Sequence, residues 1–254
     1  MYKVIFCLLM AVFTFPSFTK GEEQPEQLFT KGNQLYAKGN FKDAAISYAQ
    51  LVDSGYRSAE LYFNLANAYY KLDEVPNAIL FYERAYKLSP GDEDILVNLQ
   101  FANSKITDKI EAIPDFFLDK WWRGVVMFLS SNAWSVLGSL LMVVGFSLLT
   151  VYLFATLVRI KKVAFYSGVL SVILGLVGIF MASSQTRYFE VANHAIVFNS
   201  SVEVKSGPET SMKTLFVVHE GLKVRIQERE GSWIKVELPN GGIGWIESAK
   251  VKEI

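Results

Sequence analysis

The sequence predicts a chain of mixed class, multi-domain α and β: α-helical repeats, a two-helix transmembrane hairpin and a small all-β barrel, in that order. Three observations predict it. Small and aromatic residues recur 34 positions apart between residues 25 and 92. Two uncharged apolar stretches follow, 133–158 and 163–182, separated by the basic run Arg159-Ile160-Lys161-Lys162. After Arg187 the pattern changes to short alternating segments bounded by turn residues. Composition agrees: hydrophobic residues are 51% of the 254 and charged residues 20%, too apolar for a purely soluble chain.

The chain opens with one basic residue, Lys3, an apolar run of about twelve residues and a break at Pro16-Ser17. Residues 1–20 therefore read as a signal peptide, or as an uncleaved anchor. Cys7, the one cysteine, lies inside that segment, and the two histidines are His194 and His219. With so few thiols and imidazoles, a disulfide framework, a Cys/His zinc site and a Cys–His catalytic pair are not expected. Lys+Arg and Asp+Glu are both 25. That balance argues against a globally basic nucleic-acid binder.

The 34-residue spacing pairs Gly32 with Ala66, Asn33 with Asn67, Tyr36 with Tyr70, Ala44 with Ala78 and Tyr48 with Tyr82. Small members allow helices to cross closely, and Tyr48, Tyr69 and Tyr82 fill the space between crossings. Pro90 falls where the pattern ends. This period and these residue types resemble the tetratricopeptide repeat. The second unit, with Leu61-Tyr62-Phe63-Asn64-Leu65-Ala66-Asn67-Ala68-Tyr69-Tyr70, is the closer match. The resemblance divides residues 25–112 into units 25–58 and 59–92 and a capping helix with Ile95, Leu96, Leu99 and Phe101 as its buried face. It implies a concave protein-binding groove lined by Phe29, Asn33, Tyr36, Phe63, Asn64, Asn67 and Tyr70. Asparagines can hydrogen-bond an extended backbone there, and aromatics can pack its side chains. The plainer reading is helix packing for the tyrosines and solvation for the asparagines. Some family members grip a carboxylate with basic groove residues; Phe29 stands at one such position and Asp94 near another, which argues against a carboxylate clamp. From Glu22 to Arg123 there are 16 acidic and 11 basic residues, a balance of −5 that favours a neutral or basic partner.

Residues 113–132 hold Phe116, Phe117, Trp121 and Trp122 beside Lys120 and Arg123, either a helix lying in the membrane interface or the ragged start of the first span. Residues 133–158 and 163–182 are each long enough to span, and 159–162 form a turn that the positive-inside rule puts in the cytoplasm. Both flanking domains then face the periplasm. Gly168, Ser171, Gly175 and Gly178 share one helix face, and Gly138 and Gly145 lie seven apart on the other helix. Such faces pack a tight antiparallel hairpin or a homo-oligomer interface. Neither span carries a charge, so the pair reads as an anchor rather than a transport path.

In residues 195–254, strands are predicted at 201–205, 222–227, 233–238 and 244–246, with turns at Ser206-Gly207-Pro208-Glu209, Glu230-Gly231-Ser232 and Pro239-Asn240-Gly241-Gly242. Val204-Lys205-Ser206-Gly207-Pro208, His219-Glu220-Gly221-Leu222-Lys223-Val224, Trp233-Ile234-Lys235-Val236 and Gly242-Ile243-Gly244-Trp245-Ile246, in register, resemble the bacterial SH3-like domain. That resemblance implies a module binding protein or cell-wall peptidoglycan. Trp233 and Trp245 are its candidate ligand residues, core packing being the commoner fate of such tryptophans. His219 reads as an exposed turn residue and His194 as part of a linker. Acidic and basic residues balance from Arg187 to Ile254, nine each, with no electrostatic argument for nucleic acid.

The order leader, repeats, hairpin and SH3-like domain resembles BatE-type proteins of the bacterial aerotolerance (Bat) operons. The resemblance implies an inner-membrane scaffold working beside von Willebrand A domain proteins, with a link to a MoxR-type ATPase and to oxidative or envelope stress. The alternative is a cell-wall anchor or sensor. No nucleophile–base pair, phosphate loop or metal-ligand set is visible, so neither an enzyme nor a cofactor is expected.

Overall fold

The computed structural model describes residues 23–111, 113–114, 116–191 and 193–254. The expected leader, 1–20, lies outside the described residues. Five helices come first: α1 (Glu23–Ala37), α2 (Phe41–Asp53), α3 (Ala59–Lys71), α4 (Val75–Leu88) and α5 (Glu93–Ser104). Their boundaries follow local chemistry. Gly39, at φ 77, ends the first unit's leading helix. The Ser58 hydroxyl accepts from the Leu61 amide at the start of α3, and the Asp92 carboxylate accepts from Asp94 and Ile95 at the start of α5. Pro76 sits in the first turn of α4, where its missing N–H costs nothing.

The helices stack as antiparallel pairs. Tyr48, Leu51, Leu61 and Leu65 share one buried cluster, and Ala66, Ala78, Ile79 and Tyr82 share the next. The inward stripe of α5 is Ile95, Leu99 and Ala102, spaced four and three apart. Phe101, expected on that face, is 57% exposed. It stands off the stripe by about one residue's rotation.

Next comes α6 (Phe117–Val126), a separate ten-residue helix, then α7 (Ser131–Phe154) and α8 (Val158–Val191). Both α7 and α8 are long and apolar enough to cross a membrane. The turn expected at 159–162 is not the connection. Nothing in Arg159-Ile160-Lys161-Lys162 breaks a helix, so these residues form the first turn of α8, and residues 155–157 make the bend. The two helices meet through small residues, as expected. A side chain on Gly138 would lie 2.9 Å from the Gly175 carbonyl oxygen, and one on Gly145 would lie 3.0 Å from that of Gly168. The Ser171 hydroxyl donates to the Leu141 carbonyl at 2.7 Å. Their outer faces stay apolar and open: Leu140, Phe146, Leu170 and Phe180 are all more than half exposed.

The chain ends in seven strands: β1 (His194–Val197), β2 (Val202–Lys205), β3 (Thr214–Val218), β4 (Lys223–Glu230), β5 (Trp233–Glu237), β6 (Ile243–Glu247) and β7 (Val251–Glu253). They form one antiparallel sheet in the order β3-β2-β6-β5-β4-β1-β7, curled around a core of Val197, Val204, Val224, Ile234, Val236 and Ile246. The ladder is open between β3 and β7, so the expected barrel does not close by hydrogen bonds. The strands β1, β3 and β7 lie outside the segments predicted from alternation. His194, expected in a linker, opens β1 opposite Arg225.

Candidate functional site

The helices α1, α3 and α5 lie side by side and carry the residues expected to line a groove. Each unit builds its part of that surface the same way. In the first, the Tyr48 hydroxyl donates to Asn33 Oδ1 at 2.6 Å; in the second, Tyr82 donates to Asn67 Oδ1 at 2.6 Å. Phe29 packs on the Tyr48 ring at 5.8 Å, and Phe63 on the Tyr82 ring at 5.9 Å. Burial pushes the Tyr48 phenol up to about 12, helped by Tyr36 and Glu60. Burial likewise pushes Tyr82 up, with Tyr36 and Tyr70 adding to it. Both tyrosines are therefore neutral donors at any physiological pH, and they hold the asparagine amides by their oxygens.

This divides the predicted groove residues. Phe29 and Phe63 chiefly support the buried tyrosines, and Tyr36 packs edge-on against Phe41 at 5.1 Å. Tyr70 is covered by Lys105, whose ammonium lies 4.4 Å from the ring centre and is bonded to Asp73 at 2.6 Å. That bond raises the Lys105 pKa. Asn64 donates to Asn33 Oδ1 at 3.2 Å, which joins the leading helices of the two units. Among the described residues, no hydrogen bond uses the amide N–H groups of Asn33 or Asn67. Sequence reasoning missed two lining residues, Val97 and Phe101, which are 47% and 57% exposed. They follow Phe63 and Asn67 by 34 residues, so extending the period by one helix would have found them.

The sheet is not a separate bead. Along β1, Ala195 and Val197 face the sheet core, while Ile196 faces the helices and joins Ala78, Ile79, Leu99 and Ala102. All three strand residues are fully buried, so β1 belongs to two cores at once. Phe198, Ile254 and Ile106 pack around the same junction. Polar contacts frame it. Lys223 donates to Glu83 at 2.7 Å, and Arg84 donates to the Glu253 carbonyl at 2.8 Å. Asp108 accepts from the His219 backbone amide at 2.6 Å and meets its ring Nδ1 at 2.8 Å. His219 is thus a junction residue rather than the expected free turn residue. A side chain on Gly221 would lie 2.5 Å from Ile106, so the neighbouring turn must carry glycine for the two parts to meet.

Trp233 and Trp245 both lie on the outer face of the sheet, opposite Glu247 and Lys235 respectively, and neither joins the core. Trp245 is nonetheless buried, with the Lys235 ammonium 6.0 Å from its ring, whereas Trp233 is half-buried. Trp233 is accordingly the more available of the pair.

Comparison with known proteins follows this division of the fold. Residues 29–93 match the family described as tetratricopeptide repeat, and residues 200–252 match the one described as bacterial SH3 domain. The chain carries tetratricopeptide repeats and a bacterial SH3 domain. No curated protein matches the sequence. Among solved structures, the crystal structure of the Sgt2 TPR domain from Aspergillus fumigatus is similar at 14% identity. The similarity covers 69% of this chain and 85% of that one with a TM-score of 0.31, too low to carry an argument. Both matched modules are binding modules, and no catalytic domain is found. Among the described residues, no group of three or more His, Cys, Asp and Glu is placed to hold a metal ion.

Proposed function

We propose that this protein is a membrane-anchored, non-enzymatic scaffold whose repeats and SH3 domain act together as one protein-binding platform. The observation that carries the reading is the shared strand β1. A strand buried in two cores couples the modules rigidly, so a partner held in the groove is held at a fixed place relative to the sheet. The helices α7 and α8 anchor the platform in the bilayer, and their exposed apolar faces support that role. Because α7 and α8 are antiparallel, the repeats and the SH3 domain leave the hairpin at the same end. Arg159, Lys161 and Lys162 occupy the opposite end, which the positive-inside rule assigns to the cytoplasm. Both modules then work on the periplasmic side.

The helix α6 lies in the membrane interface on this reading. Phe117, Leu118 and Trp121 are each more than half exposed on one side of it. Its C-terminal carbonyl, Val126, accepts from both Trp134 Nε1 and Gln185 Nε2, which fastens it to the two spans. Tethering in the bilayer raises the effective concentration of any partner in the same membrane. By resemblance to the Bat-type proteins, the partner is a membrane-tethered von Willebrand A protein and the setting is oxidative or envelope stress. A second reading, a peptidoglycan anchor, draws on the outward position of Trp233.

The test is in-cell photo-cross-linking from position 101, an open side chain on α5, with a second probe at position 233. Capture of a von Willebrand A protein from position 101 supports the scaffold. Capture of wall fragments from position 233, with nothing from position 101, overturns it in favour of the anchor.

A further inference from the structure

One end of the repeat array carries a cationic cavity that the groove does not use. Antiparallel helices alternate their ends, so residues 54–58 and 89–92 connect helices at one end, and the turns at Gly39 and Asp73 lie at the other. The first end is the one tied to the hairpin. A side chain on Gly91 would lie 2.7 Å from the Phe128 carbonyl oxygen, and Tyr86 meets Phe189 edge-on at 6.0 Å. Phe189 stands four residues past Gln185, about 6 Å along the helix axis, which is within the depth of a headgroup layer.

At that end a cavity of about 300 Å³ opens between the two units. Arg57, Arg84 and Lys87 line it, with Val52, Tyr62, Leu88 and Ile254. Ile254 brings its main-chain carboxyl group to the lining, which holds no Asp or Glu. In a segment with 16 acidic and 11 basic residues, three cations around one opening with no Asp or Glu among them run against the average. Among the described residues, neither Arg57 nor Lys87 makes an ion pair. Arg84 uses one donor on the Glu253 carbonyl and lies 5.3 Å from the Phe81 ring centre. Burial lowers its pKa, Tyr62 opposing and Arg57 adding to the effect. Three clustered cations against one main-chain carboxyl group leave positive charge in excess, which attracts an anion, and arginine forks fit phosphate oxygens.

We propose that this cavity binds a phosphate-bearing anion, supplied by the headgroup of an acidic phospholipid in the adjoining leaflet. The proposal rests on the membrane reading above. A lipid phosphate and free phosphate offer the same oxygens, and the cavity is large enough to admit a headgroup around them.

The test is native mass spectrometry of the full chain in detergent, with phosphatidylglycerol and phosphatidylcholine supplied equally. A parallel arm supplies inorganic phosphate. The wild type is expected to retain phosphatidylglycerol preferentially. The double variant Arg57→Gln/Lys87→Gln leaves Arg84 at the junction and should weaken that preference by roughly 30-fold, about fivefold for each cation removed. The variant Lys38→Gln/Lys42→Gln removes the same charge from the far end and should leave the preference intact. Retention of inorganic phosphate instead, lost in the first variant alone, supports the phosphate site and overturns its lipid source. Equal effects of the two variants, or no anion retained by wild-type protein, overturn the site. Carbonate extraction of membranes from the same cells separates the two readings. Extraction into the supernatant overturns the membrane reading; protein that resists extraction yet retains no anion overturns the site alone. Circular dichroism matching the wild type shows that each variant is folded.

Discussion

The two repeat units make the same local contacts in unequal surroundings. Both hold an asparagine by a buried tyrosine at 2.6 Å, and both stack a phenylalanine on that tyrosine at nearly the same distance. The first unit has a structured neighbour on one side among the described residues. The second lies between the first unit and a composite cap of α5 and β1. Gly32 in the first unit becomes Ala66 in the second. A side chain on Gly32 would lie 2.5 Å from the Tyr48 ring, whereas Ala66 is accommodated and fully buried. In a stacked array, stability is set largely by interfaces between units. The difference teaches that order should increase from α1 toward the sheet, and that an SH3 strand is doing the work of a missing helix.

The largest expected effect breaks the cap. Ile196→Ala removes a fully buried side chain from both the junction and β1, and should cost about 3 kcal/mol. Hydrogen exchange should show the loss in α4 and β1 before α2; equal loss everywhere would mean the array does not depend on the cap. Next, Gly32→Ala should destabilise the first unit by about 1–2 kcal/mol. The Tyr48 ring is buried and held by Asn33, so overpacking outweighs the helix propensity gained. A thermal melt with unchanged or raised midpoint would show that the ring can yield.

Both units should then respond to alkali. A tyrosine whose folded pKa is raised leaves stability intact below its unfolded value. That stability is lost as pH rises and the unfolded chain ionises first. For Tyr48 the window runs from about 10, the ordinary tyrosine value, to about 12 in the folded chain. Tyr48→Phe should cost about 1 kcal/mol near neutrality through the lost bond to Asn33 and should flatten this alkaline decline. Ellipticity followed against pH checks both effects. The smallest effect belongs to the junction rim. Asp108→Ala removes the acceptor for the His219 amide and should cost about 1 kcal/mol, seen as faster exchange at that amide with the repeats unchanged.

How much of this was legible depends on how far apart in sequence the partners lie. The repeat period, the two long apolar helices and their small-residue faces could be read because each is a local pattern. Alternation does not reveal β1, because Ala195-Ile196-Val197 is apolar on both faces, as a strand between two cores must be. Asp108 and His219 are 111 residues apart, and Glu83 and Lys223 are 140 apart. No spacing rule reaches such pairs. For the candidate groove, residue types name the side chains, but only the contacts separate asparagines whose amide N–H groups are not engaged from aromatics occupied in packing. Trp233 and Trp245 invite a core reading by size, yet their parity on β5 and β6 puts them opposite Ile234 and Ile246. Counting by twos along those strands would have separated them.

The length of α8 has a mechanical consequence. It runs 34 residues, about 51 Å at helical rise, and only two residues separate it from β1. On the membrane reading, one continuous rod enters near the cytoplasmic face and ends at the strand shared by both cores. A change in bilayer thickness or in the lean of that rod would not be absorbed by a slack tether. It would swing the whole groove, altering the angle and height at which it meets a neighbour in the same membrane.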